Sequence, residues 1–123
     1  YKKSKKSKNN IKKQFVSSEK FVKNNVLKKF KFVNTYKGWI PNRFGEVKNK
    51  KFSFVHIDVD LYKPTLDSLK FFYPKLVKGG IILCDDYNSS VFPGAKQAWD
   101  SFFYKKKYSF FYKNLLGGCF IIK

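Results

Sequence analysis

HIDVDLYKPTLDSLKFFYPKLVKGGIILCDDY, residues 56–87, joins two apolar runs that each end in a pair of carboxylates, with a helical pattern between them. The first run, Phe52 to Asp58, is apolar on both faces at its core (Phe54, Val55, Ile57), as in a parallel strand covered on both sides. Pro64 stands where a first helical position is expected, Asp67 follows in the first turn, and Leu66, Leu69 and Tyr73 keep a three-to-four spacing. Lys78-Gly79-Gly80 reads as the end of that helix, and Ile81 to Cys84 as a strand running into Asp85-Asp86. Strand, helix, strand in this order predicts a parallel pair joined by a crossover helix.

Working outward, Pro93-Gly94 precede a second helix whose Ala95, Ala98, Trp99, Phe102 and Phe103 form one apolar stripe. YSFFY (108–112) and CFIIK (119–123), joined through NLLGG, predict a closing antiparallel hairpin. Upstream, WIPNRFGEVKNKK (39–51) is mostly loop, from its Pro, Gly and Asn content. Before it, Lys29 and Lys31 alternate with Phe30 and Phe32, which with Val33 predicts a strand closed by Gly38. A helix capped by Ser17 or Ser18 carries Phe21, Val22 and Val26 to about Lys28. Residues 1–17 read as a basic, flexible segment, and 18–123 as one domain.

The chain has 123 residues, 43% hydrophobic and 20% aromatic, which suits one globular domain rather than a disordered chain. No run approaches the roughly 18 consecutive apolar residues of a membrane span. The net charge of +19 invites a nucleic-acid partner, but only Arg43 among the 27 basic residues is arginine. Reading of phosphate and guanine favours the bidentate guanidinium, so no specific nucleic acid is expected. Cys84 and Cys119 lie in apolar runs outside any CxxC pattern, which suits two reduced, buried thiols and a cytoplasmic setting. His56 reads as a core or edge histidine rather than a ligand.

Four of the eight acidic residues, Asp58, Asp60, Asp85 and Asp86, sit at the C-terminal ends of the two central strands. If those strands are neighbours, four carboxylates converge where open α/β sheets bind their ligands. Such a cluster repels itself by several kcal/mol unless protons or a cation neutralise it. A hard divalent cation, Mg²⁺ in the first instance, is the economical answer, against turn-forming duty for the same aspartates. An apolar strand ending in D-x-D also occurs in metal-dependent glycosyltransferases, although the second strand ending in Asp-Asp is not part of that pattern. A glycosyltransferase fragment and a basic nucleic-acid-binding module are the alternative readings.

IDVDLY followed by Pro-Thr, then FYPKL, the Gly-Gly turn and DDY, resembles the macrocin O-methyltransferase (TylF-like) family of class I S-adenosylmethionine-dependent methyltransferases. YKGWIPNRF, AKQAWDSFF and GGCFIIK are similar to flanking segments of that family, so the likeness covers roughly residues 20 to 123. The resemblance implies the C-terminal half of a doubly wound, Rossmann-like α/β sheet, mostly parallel, with a terminal antiparallel hairpin. It implies Mg²⁺ and S-adenosylmethionine as cofactors, and a hydroxyl of a sugar or other small molecule as the methyl acceptor. By position Asp58, Asp85 and Asp86 match the acidic metal sites, and Asp60 is a further ligand or the catalytic base. Tyr62 and Tyr87 flank the acidic pairs as substrate-binding candidates. The glycines form no Gly-rich turn and no strand pair precedes residue 18, so the cofactor half of the family's fold is missing and no cofactor-binding residue is assigned. A fragment of this kind is expected to be inactive alone, and its oligomeric state is left open.

Overall fold

Ser18 begins the first described helical turn, its Oγ accepting from the Phe21 N–H at 3.1 Å and so capping α1 (Glu19–Phe21). The computed structural model describes residues 17–114 and 117–123, so the expected segment 1–17 lies outside it except for Ser17. Leu115 and Leu116 of the hairpin connection lie outside it as well. The chain divides into two units, Tyr1–Lys37 and Gly38–Lys123, the division falling well past the boundary expected from the sequence.

In the first unit, α1 does not continue as the α-helix expected to about Lys28 but widens into a π-helical turn over Val22–Val26. Asn25 supplies the reason: its side-chain amide donates to the Phe21 carbonyl at 2.9 Å, occupying an acceptor of the helical ladder. The strand expected at Phe30 to Val33 is also absent. Successive turns replace it, with Phe30 N–H bonded to the Leu27 carbonyl and Val33 N–H to that of Phe30. Alternation alone does not make a strand, because a strand needs a ladder partner, and none of the described strands pairs with this segment.

The second unit holds β1 (Phe52–Ile57), α2 (Tyr62–Phe72), β2 (Leu76–Cys84), α3 (Pro93–Phe103), β3 (Phe110–Lys113) and β4 (Cys119–Ile122). The sheet order is β1-β2-β4-β3, with β1 and β2 parallel and β4 antiparallel to both of its neighbours. Three of the four strands therefore run the same way. The α/β class, the crossover helix and the antiparallel closing hairpin are all as the sequence predicts, and β4 inserts between β2 and β3.

The Gly-Gly pair does not end α2. That helix stops at Phe72, followed by a 3₁₀ turn over Tyr73–Lys75 in which Pro74 lacks the N–H needed to continue. Gly79 and Gly80 lie inside β2, where the register jumps from Phe52↔Leu76 to Phe54↔Ile81. The extra residues bulge, and Gly79 takes φ +76°, a left-handed conformation that costs a glycine little. The Gly79 N–H then bonds to the Lys123 carbonyl and the Lys123 N–H to that of Gly80, tying the bulge to the end of β4.

Strand alternation sorts the sheet into two faces. Val55, Ile57, Ile82, Cys84, Cys119 and Ile121 share the buried one and form a single core with Leu69 of α2 and Ala95, Trp99 and Phe103 of α3. The α3 stripe is the expected one. The α2 stripe is Thr65, Ser68 and Leu69 with Phe72 packed beside it, and Leu66 is only half-buried. On the opposite face Phe54, Phe110 and Tyr112 remain exposed beside the half-buried Ile81, Leu83, Phe120 and Ile122.

Candidate metal centre

Because Ile57 pairs with Cys84 in a parallel register, Asp58 and Asp85 leave the sheet side by side at one edge. The Asp85 N–H bonds to the Ile57 carbonyl at 3.0 Å, which fixes that juxtaposition. Backbone alternation then separates the two members of the Asp-Asp pair. Asp85 reaches its Oδ1 to Nε2 of the exposed His56 at 3.2 Å, while Asp86 turns to the other side.

Asp60 is brought back toward Asp86 by a tight three-residue turn. Its φ of +58° is the left-handed conformation that aspartate tolerates better than most residues, and the Leu61 N–H bonds across it to the Val59 carbonyl at 2.5 Å. The turn leads directly into α2, whose first-turn Thr65 ties back to the Leu61 carbonyl through both its N–H and its hydroxyl. Asp60 thus lies just ahead of a helix N-terminus, the end whose dipole favours negative charge.

The expected convergence of four carboxylates is a convergence of three. Asp58, Asp60 and Asp86 each place an oxygen within 4.8 Å of the others, and Asp85 stands outside the group with His56. Asp86 Oδ2 is buried without a hydrogen-bond partner. Burial, then the neighbouring Asp60, Asp58 and Asp85, push the Asp86 carboxyl up to about 6. The ion pairs among the described residues engage Glu19, Glu46, Asp67, Asp85 and Asp100, and none of the three clustered carboxylates. In a chain of charge +19 this is an informative distribution: among the described residues no lysine forms an ion pair with this group of carboxylates. An all-oxygen donor set with an orphaned buried oxygen fits a hard divalent cation such as Mg²⁺.

Two spaces flank the group. One is a polar hollow of about 360 Å³ bordered by Asp85, Asp86, Asn88, Ser89 and Ser90. The other, of about 460 Å³, is walled by Trp39 and Ile40 on one segment and Val59, Leu61 and Pro64 on another, with Asp60 as its polar residue.

Tyr62 opens α2 with a half-exposed side chain. Tyr87 is a correction: it is only 5% exposed, donates its hydroxyl to Asp100 Oδ1 at 2.7 Å and packs edge-on against Trp99 and Phe111. The strand ends at Cys84, and the turn that follows over residues 85–88 brings Tyr87 into the core. The sequence reading passed over the His56–Asp85 pair and the Trp39 cleft. For the first, alternation tells only that adjacent aspartates at a strand end diverge, not which of them turns to His56. The second joins residues distant in sequence and left no local signal.

Residues 2–110 match the family described as Macrocin-O-methyltransferase (TylF). Among solved structures the chain is similar to the O-methyltransferase NovP, with TM-score 0.65 and 24% identity over 86% of this chain and 45% of that one. It is also similar to two structures of CalS11, one described as a TDP-rhamnose 3'-O-methyltransferase of calicheamicin biosynthesis, each at TM-score 0.52 and 21% identity. Those cover 68% and 67% of this chain and 36% and 32% of the CalS11 chains. The structural likenesses show a shared fold, and the chain spans less than half the length of each neighbour. No curated protein matches the sequence.

Proposed function

The chain belongs to the macrocin-O-methyltransferase family, and on that premise we propose that it carries the metal and acceptor half of an O-methyltransferase acting on a hydroxyl of a sugar or similar small molecule. The observation that carries the reading is the uncompensated group of Asp58, Asp60 and Asp86 at the sheet edge, with its orphaned buried oxygen. These three would hold Mg²⁺, which when bound supplies a positive charge that lowers the pKa of an acceptor hydroxyl. Asp60, set on its tight turn beside the apolar cleft, would serve as a further ligand or as the base that accepts that hydroxyl's proton. Asp85, which by position matches one of the family's acidic metal sites, would join the ligand set by leaving His56. Tyr62 is kept as an acceptor contact on the strength of its exposure.

The methyl donor of the proposal is S-adenosylmethionine, the family's cofactor. The described strands carry no Gly-rich turn of the kind that cradles such a cofactor, and no residue here is assigned to it. No helix among the described residues is long and apolar enough to cross a membrane. The free thiols of Cys84 and Cys119 suit a reducing, cytoplasmic setting. Neither the glycosyltransferase nor the nucleic-acid alternative draws support from the family match.

Calorimetric titration of the chain with Mg²⁺, beside Asp58→Asn and Asp86→Asn variants, tests the reading. Saturable binding that disappears in both variants is the expected result. No heat from a chain shown by circular dichroism to be folded would return the aspartates to a structural role.

A further inference from the structure

The side chain of Asp85 is paired with the only histidine of the chain, its Oδ1 lying 3.2 Å from His56 Nε2. Both side chains are about half exposed, and both main chains are fixed. His56 stands opposite Leu83 in the β1–β2 ladder, and the Asp85 N–H bonds to the Ile57 carbonyl. What remains free is rotation of the Asp85 side chain about its two bonds. In the observed rotamer it meets the imidazole. Asp58, Asp60 and Asp86 are close enough for Asp85 to add to the upward push on the Asp86 carboxyl, yet Asp85 is outside the 4.8 Å that those three share.

We propose that His56 is a positioning residue, which keeps Asp85 outside the carboxylate group while that group is empty and yields it as a further ligand when a divalent cation binds. The inference rests on the reading that Asp58, Asp60 and Asp86 hold Mg²⁺. A fourth carboxylate inside the empty group would add like-charge repulsion where one buried oxygen of Asp86 already lacks a partner. Imidazole suits the holding role. It has two rotatable bonds and stands on a paired strand, whereas a lysine would give up the freedom of a four-carbon stem. With a cation bound the repulsion is offset, and a hard ion attracts the carboxylate more strongly than a half-exposed imidazole does. Holding Asp85 away lowers the apparent affinity by the fraction of molecules whose Asp85 is free to ligate. A histidine contact kept about two-thirds of the time therefore weakens Mg²⁺ binding about threefold.

The test is calorimetric Mg²⁺ titration, at one pH and one salt concentration, of the full chain and its His56→Ala, His56→Gln, Asp85→Ala and His56→Ala/Asp85→Ala variants. His56→Ala should tighten binding about threefold. His56→Gln, whose amide can donate to Asp85 from the same position, should keep the parent Kd. In the Asp85→Ala background, removal of His56 should change nothing. Because the chain has one histidine, its ring nitrogen resonances are unambiguous, and in the parent they should move in step with the calorimetric isotherm as Asp85 leaves. Both side chains are exposed, so circular dichroism spectra superimposable on that of the parent confirm that the variants fold. Unchanged or weaker binding in His56→Ala, the same gain without Asp85, or ring resonances that ignore saturating Mg²⁺ would each overturn this inference alone. A folded parent that binds no Mg²⁺ would overturn the metal reading and this inference together.

Discussion

Asp86 carries the sharpest electrostatic tension in the molecule. Its carboxyl is pushed up to about 6 by burial and by Asp60, Asp58 and Asp85, and one of its oxygens has no partner. Asp86→Asn removes a charge from that group, so in the presence of a chelator the variant should be at least as stable as the parent in urea. With Mg²⁺ at about a hundred times its Kd, the parent should gain about 2.7 kcal/mol and the variant almost nothing. An equal Mg²⁺ response in both proteins would count against the metal centre. Tyr87 predicts the opposite pattern. Tyr87→Phe loses the buried hydrogen bond to Asp100, which should lower stability by about 1 kcal/mol in chemical denaturation while Mg²⁺ binding stays unchanged. What sequence disclosed at this scale was the identity of the acidic positions. It did not disclose which of two adjacent aspartates faces the group, because that depends on a strand continuing straight through Cys84 and on the tight turn at Asp60.

At the scale of elements, the approach of α3 to the start of α2 rests on a missing side chain. A Cβ on Gly94 would lie 2.7 Å from the Tyr62 backbone nitrogen. Gly94→Ala should therefore force the two helices apart and cost about 1–3 kcal/mol in a thermal melt, despite alanine's better helix propensity. The β2–β4 ladder sets Cys84 directly opposite Cys119 in the core. Burial pushes the Cys84 thiol from its ordinary value of 9.0 up to about 12. A thiol whose pKa is raised on folding leaves stability untouched below pH 9 and removes it as pH climbs from 9 toward 12. Both cysteines should resist alkylation at pH 8 and react only once the chain is unfolded; rapid labelling of the native protein would contradict their placement. The strands and helices were legible where apolar periodicity coincided with a real neighbour, as along α3 and through β1, β2 and the closing hairpin. The reading failed at Phe30 to Val33, where alternation exists without a ladder partner, and at Gly79-Gly80, where a bulge looks like a helix stop.

For the whole second unit, the decisive feature is that both long helices cover one face of the sheet. Val55, Ile57, Ile82, Cys84, Cys119 and Ile121 are sealed beneath α2 and α3, while Phe54, Phe110 and Tyr112 stand exposed on the reverse side. A strand apolar on both faces is the signature of a sheet with two covering layers, and β1 reads that way although one layer covers it. The exposed face favours association through burial of apolar surface, and the net charge of +19 opposes it. The two effects scale differently with salt. At low ionic strength the Debye length is about 30 Å at 0.01 M and repulsion between copies prevails; at about 1 M it falls to about 3 Å and only the apolar term remains. Sedimentation should therefore show a monomer at low salt and concentration-dependent association at high salt, with a parallel rise in binding of a hydrophobic dye. Phe54→Ser with Phe110→Ser should suppress both responses while leaving Mg²⁺ binding intact, because neither side chain belongs to the carboxylate group. Association that persists in the double variant would assign the stickiness to another surface, and a parent that stays monomeric at high salt would show that this face is not adhesive.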